Sequence, residues 1–151
     1  MTRLHFEASI QRSPETVFQL LADLPGYRSW LSPSELYSET TAISEHPTRV
    51  GTTYSDKGPS SEMCGEVAEL EPCSLLAFRQ SSHFTQFWPG GELELHICYT
   101  LHPTGDGTQV IRDVELHPQG ILKAVQPVLL QAIGKESERI LQRMKWYLEA
   151  R

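Results

Sequence analysis

The chain has little cysteine, and none in the arrangements that do chemistry. Cys64, Cys73 and Cys98 are an odd number with no CxxC pair. That excludes a disulfide framework and points to a reducing, cytoplasmic setting in which each thiol is a small apolar filler. Positive charge is scarce too: 13 Lys and Arg stand against 19 Asp and Glu, a formal net charge of -6. Phosphate backbones attract the opposite balance, so nucleic acid is excluded as a partner. No apolar run reaches the roughly 18 residues of a membrane span, and Leu4-His5-Phe6-Glu7 breaks the opening too soon for a secretory signal. HExxH, GxSxG and P-loop patterns are all missing, so neither a metal nor a cofactor is expected. His96 and His102 share a strand face but stand six residues apart, about 20 Å, too far for one ion.

What is present reads as one domain over residues 1–151, long enough to bury roughly 70% of its unfolded surface. Leu4, Phe6, Ala8 and Ile10 alternate with polar residues, the period of a half-buried strand. Ser13-Pro14-Glu15 then gives a helix start, with a capping hydroxyl, a proline suited to the first turn and a carboxylate at the positive end of the dipole. Leu24-Pro25-Gly26 should break that helix, and a second short one is expected over Tyr27–Leu31. Strands are expected at Glu35–Ile43, Val50–Asp56, Glu62–Leu70 and Leu75–Ser81, with a turn at Glu71-Pro72-Cys73-Ser74. The span 82–91 reads as an aromatic loop. The clearest hairpin follows, with Leu93 to Leu101 alternating against Val110 to Leu116. Matching apolar faces puts Leu101 opposite Val110 and Tyr99 opposite Arg112, around a Thr104–Gly107 loop. Apolar residues from Ile121 to Leu148 recur every three or four positions, so the last thirty residues read as a helix that Pro127 kinks or restarts. Lys135, Glu136, Glu138 and Arg139 read as its solvated face.

Strands joined in succession by short turns make an antiparallel sheet, and a helix this long is covered only if the sheet curls around it. The fold class is therefore α+β, a curved sheet of about seven strands gripping a long C-terminal helix, with two short helices after the first strand. The opening strand with Ser13-Pro14-Glu15-Thr16-Val17-Phe18, then Leu21, Asp23, Tyr27 and Trp30, resembles the START-like superfamily, in its polyketide cyclase/dehydrase and lipid-transport branch. Gly65-Glu66-Val67, Glu71-Pro72, Thr108 and the closing Leu141, Met144-Lys145 and Leu148-Glu149 extend the resemblance over nearly the whole chain. It implies a helix-grip fold with an apolar cavity; members include lipid and hormone carriers, aromatic cyclases and proteins with no assigned activity.

The cavity wall is expected from the inward residues of the hairpin and one face of the long helix: Ile97, Tyr99, Arg112, Val114, Leu122, Val125 and Leu129, with Trp30, Tyr54 and Phe78 beside them. The plain alternative is that these residues pack as a solid core. Arg112 interrupts an apolar face, and a buried guanidinium needs a partner. A ligand carboxylate or phenolate could supply one while Arg112 lies against Tyr99; an internal pair with Glu69, or a side chain reaching the sheet edge, would also do. Phe84, Phe87 and Trp88 suggest a lid over the cavity, a fixed cap, or a patch that packs on a second copy to make a homodimer. Three functions follow: a carrier for a small apolar or aromatic molecule, a cyclase or dehydratase acting in the same cavity, and an interaction module using the aromatic loop.

Overall fold

The computed structural model describes residues 2–59, 61–83 and 92–150. Phe84, Phe87 and Trp88, with the lid, cap and interface readings they carry, lie outside the described residues. Strand β1 (Thr2–Ile10) and helix α1 (Pro14–Ala22) are followed by a short 3-10 helix at Leu24–Ser29. Strands β2 (Glu39–Thr41), β3 (Thr53–Lys57), β4 (Glu62–Glu71), β5 (Leu75–His83), β6 (Glu92–Pro103) and β7 (Thr108–Gln119) come next. A 3-10 turn at Gly120–Lys123 leads into α2 (Gln126–Glu149). All seven strands form one antiparallel sheet, in the order β1-β7-β6-β5-β4-β3-β2. This is the helix-grip architecture.

Local chemistry accounts for the boundaries. Ser13 Oγ accepts the Thr16 amide at 3.2 Å and opens α1. Leu24-Pro25-Gly26 ends α1 but also starts the next helix, earlier than Tyr27, because Asp23 Oδ1 accepts the Gly26 amide at 3.2 Å. The strand expected over 35–43 shrinks to three residues. Ser34 Oγ accepts the amides of Leu36 (3.2 Å) and Tyr37 (3.1 Å), a local turn that competes with strand pairing. Beyond the strand, Ala42 has a φ of 53°. The next strand likewise starts late, after a turn with φ of 95° at Gly51. β5 continues through Ser82 and His83, into the span read as loop. Pro127 restarts rather than kinks the last helix: it lies in the first turn of α2, where its missing N–H costs nothing.

The hairpin register is the one that apolar matching gives, with Leu101 opposite Val110 and Tyr99 opposite Arg112. The 24-residue α2, about 36 Å long, buries Ser137, Leu141, Met144 and Leu148. Leu141, Met144 and Leu148 join the inward faces of the sheet and Val17, Phe18 and Leu21 of α1 in one core. No helix among the described residues is long and apolar enough to cross a membrane.

Candidate functional site

The interior is not filled. A cavity of about 120 Å³ lies between the concave face of the sheet, the segment from Leu24 to Tyr37 and the middle of α2. Strand alternation explains its wall: Tyr54 and Asp56 from β3, Phe78 and Gln80 from β5, Leu95, Ile97 and Tyr99 from β6, and Arg112 from β7. Tyr27, Leu31, Leu36 and Tyr37 close one side, and Ile133, Glu136 and Ile140, at helical spacing on α2, close the other. Tyr54, Phe78 and Tyr99 stack edge to face in series, with centroids 5.7 and 6.4 Å apart. Tyr54 reaches this position because its cross-strand neighbour is Gly65: a Cβ there would stand 2.3 Å from Tyr54 Cζ.

Besides Glu136, two hydrogen-bonded polar groups interrupt the apolar wall. Arg112, 6% exposed, donates from Nε to Ser137 Oγ at 3.1 Å and from Nη1 to Tyr99 Oη, and its guanidinium carbon sits 5.3 Å from the Tyr99 ring centre. Its partners are thus neutral, and among the described residues no carboxylate lies within ion-pair distance. Glu69, on the far side of the sheet, is exposed. Tyr99 accepts in that bond, which leaves its own O–H proton to be donated into the cavity.

Asp56 anchors the second group. Its Oδ1 accepts from Thr40 Oγ1 at 2.6 Å, and Thr40 in turn meets Tyr37 Oη at 2.7 Å. Gln80 Nε2 reaches Asp56 Oδ2 at 3.3 Å and Tyr54 Oη at 2.6 Å, so the chain runs Tyr37–Thr40–Asp56–Gln80–Tyr54. Burial lifts the Asp56 carboxyl to about 6, against the opposing pull of the Thr40 and Gln80 bonds and of the Arg112 charge. Burial also pushes the phenols of Tyr27 and Tyr54 well up, so both remain donors through neutral pH. A carboxyl poised between its two forms, beside protonated phenols, can exchange a proton with a bound molecule.

Five of the ten residues singled out for the wall are there: Tyr54, Phe78, Ile97, Tyr99 and Arg112. The other five stand elsewhere. Trp30 packs behind the wall, its ring 5.1 Å from that of Tyr27. Val114 and Leu122 are fully buried in solid packing, and Val125 and Leu129 are half-buried against the core. The helix start explains the last three. With Pro127 in the first turn, Leu122 and Val125 precede α2, and the cavity begins a turn beyond Leu129. Glu136 and Arg139 are not solvated: their side chains are 15% and 22% exposed and pair twice at 2.9 Å. Ser34 Oγ donates to Glu136 at 3.1 Å and Arg139 Nη1 to the Ser32 carbonyl at 2.8 Å, which ties the 32–34 segment to α2 beside the cavity. Asp56, Gln80, Tyr27, Tyr37 and Glu136 are wall residues that sequence reasoning missed. For Asp56 and Gln80 the signal was parity, each standing two positions past a chosen wall residue.

The family model described as "Polyketide cyclase / dehydrase and lipid transport" matches residues 1–149. No curated protein matches the chain. Among solved structures, an aromatase/cyclase from Streptomyces sp. R1128 superposes with a TM-score of 0.79 at 12% identity, covering 98% of this chain and 93% of that one. A protein from Chromobacterium violaceum gives 0.69 at 20% identity, with 99% of each chain covered. The Aha1 dimer from Colwellia psychrerythraea gives 0.65 at 21%, covering 99% and 97%. At these identities the likeness is one of fold.

Proposed function

Because the chain belongs to the polyketide cyclase/dehydrase and lipid transport family, we propose that its cavity receives a small, largely apolar molecule, of about one aromatic ring, bearing an anionic or carbonyl oxygen. The observation that carries this reading is Arg112, a buried guanidinium on the cavity wall whose bonded partners are all neutral. A buried cation left in that state favours a ligand that completes its charge, and a planar carboxylate or polarised carbonyl fits its fork. The size follows from the volume: 120 Å³ is on the order of the ~150 Å³ engineered cavity, in another protein, that takes benzene. Burying about 150–200 Å² of ligand would contribute roughly 4–5 kcal/mol before losses, with Arg112 and Tyr99 setting orientation.

Asp56 favours a second reading, an enzyme of the cyclase or dehydratase kind. With its carboxyl near 6, it could take a proton from the carbon next to a carbonyl held by Arg112. The same proton, returned to a departing hydroxyl, would leave as water.

Native mass spectrometry of the freshly purified protein, with thermal melts against monocyclic benzoates and phenols, tests the first reading. A co-purified compound, or a benzoate that raises the melting temperature in the parent but not in Arg112→Leu, is the expected result; probes that bind both proteins equally would refute it. Asp56→Asn separates carrier from enzyme, since a carrier keeps its ligand and shows no turnover to lose. A cytoplasmic setting is part of the proposal, supported by three unpaired cysteines. So is pairing of two copies, supported by the dimeric relative and open to sedimentation.

A further inference from the structure

The tripeptide Glu-Leu-His occurs twice, at Glu94–His96 and Glu115–His117. Antiparallel pairing of β6 with β7 puts Glu94 opposite His117 and His96 opposite Glu115. The two copies are therefore related by a local twofold axis across the hairpin. Leu95 and Leu116, 5% and 0% exposed, point into the core, so alternation sends both histidines and both glutamates to the outer face, as cross-strand neighbours. This face is remote from the cavity and plays no part in the function proposed above.

The donor atoms there already converge. His96, Glu115 and His117 each offer one ligand atom, all within 4.8 Å of one another, and the imidazole centroids are 5.2 Å apart. Glu115 Oε2 lies 3.8 Å from His117 Nε2 and 4.0 Å from His96 Nδ1. Its other oxygen, Oε1, is held by Arg3. His96 Nε2 meets Glu94 Oε1 at 3.0 Å; the carboxylate only accepts, so in the neutral imidazole the proton sits on Nε2 and the Nδ1 lone pair faces Glu115. His117 Nε2 is buried and has no hydrogen-bond partner among the described residues. Among the described residues, none of the three inward-facing donors accepts or donates a hydrogen bond, while the far side of His96 and of Glu115 is fixed by another residue. That division of labour is how metal ligands are oriented.

We propose that His96 Nδ1, His117 Nε2 and Glu115 Oε2 bind a divalent transition-metal ion of the zinc class, with Glu94 and Arg3 as positioning residues. Two neutral imidazoles and one carboxylate suit that class and leave a coordination position for water. Bonds of about 2.0–2.2 Å put tetrahedral donors roughly 3.4 Å apart, so the present spacing of up to 4.8 Å must close by as much as about 1.4 Å. The side chains, 23–39% exposed, have the freedom to do so.

The test is titration of the chelator-treated full chain with Co2+, read by visible absorption, followed by displacement with Zn2+. One saturable equivalent per chain is expected. His96→Ala and His117→Ala should each abolish it, and Glu94→Gln should weaken it by about ten- to a hundredfold. His5→Ala is the control: His5 bonds Asp113 and Glu7 on the same face, and its loss should change nothing. Arg112→Leu should also bind normally, which keeps this outcome separate from that of the cavity. Absence of a saturable site, or binding that survives both histidine substitutions, overturns the proposal. Melts in chelator establish that each variant is folded.

Discussion

Asp56 carries a charge at neutral pH that its surroundings disfavour. Its carboxyl titrates at about 6 in the folded chain against 3.8 for an ordinary aspartate, chiefly because it is buried. The native state therefore holds the proton more tightly than the unfolded state does. The resulting stability is complete below about pH 4 and is lost as pH rises through 6, a difference of roughly 3 kcal/mol at ~1.36 kcal/mol per pH unit. Asp56→Asn stays neutral throughout. It should exceed the parent by about 2–3 kcal/mol in urea unfolding at pH 8 and match it closely at pH 4; an equal offset at both would show that the carboxyl is not the cause. Asp56 was hard to single out beforehand for a simple reason. β3 has only Tyr54 as a large apolar residue among Thr53, Ser55, Asp56 and Lys57, so the two-residue step from Tyr54 is the one mark of its inward face. Arg112 was legible because it breaks a long apolar alternation on β7, where one discordant residue stands out.

At the scale of elements, turns and ties decide the outcome. The β4–β5 turn closes through Ser74 N to Glu71 O at 3.1 Å, with Pro72 leading and Cys73 at a φ of 65°. That is a type II geometry, which favours glycine at the third position. Cys73→Gly should raise stability by about 0.5–1 kcal/mol, measured as a higher urea midpoint with an unchanged slope. The tie between Ser32, Ser34, Glu136 and Arg139 sits where the exposed Leu36 enters the cavity wall. Glu136→Gln weakens a charge-assisted pair of about 1.4 kcal/mol or more. A bound benzoate should then dissociate about tenfold faster in stopped flow, and an unchanged rate would place the exit elsewhere. The hairpin and its register were readable from alternation alone, since both strands are long and two-sided. The start of α2 was not, because a proline within a helical period is compatible with a kink and with a new first turn. Only packing chooses between them, and that choice moved Leu122, Val125 and Leu129 off the cavity.

Across the whole molecule, the order of strands makes the two sides of the cavity unequal. β6 and β7 are each bonded along their length to neighbours on both sides, whereas β3 has five residues and is flanked at the margin by the three-residue β2. In deuterium exchange the amides of Ile97, Tyr99, Arg112 and Val114 should open only with global unfolding, and those of Tyr54 and Asp56 by cheaper local events. Equal protection in both groups would contradict this. The consequence concerns traffic. One wall can hold a guest in fixed orientation while the opposite wall breathes, so admission and departure need not disturb the part of the protein that does the recognising.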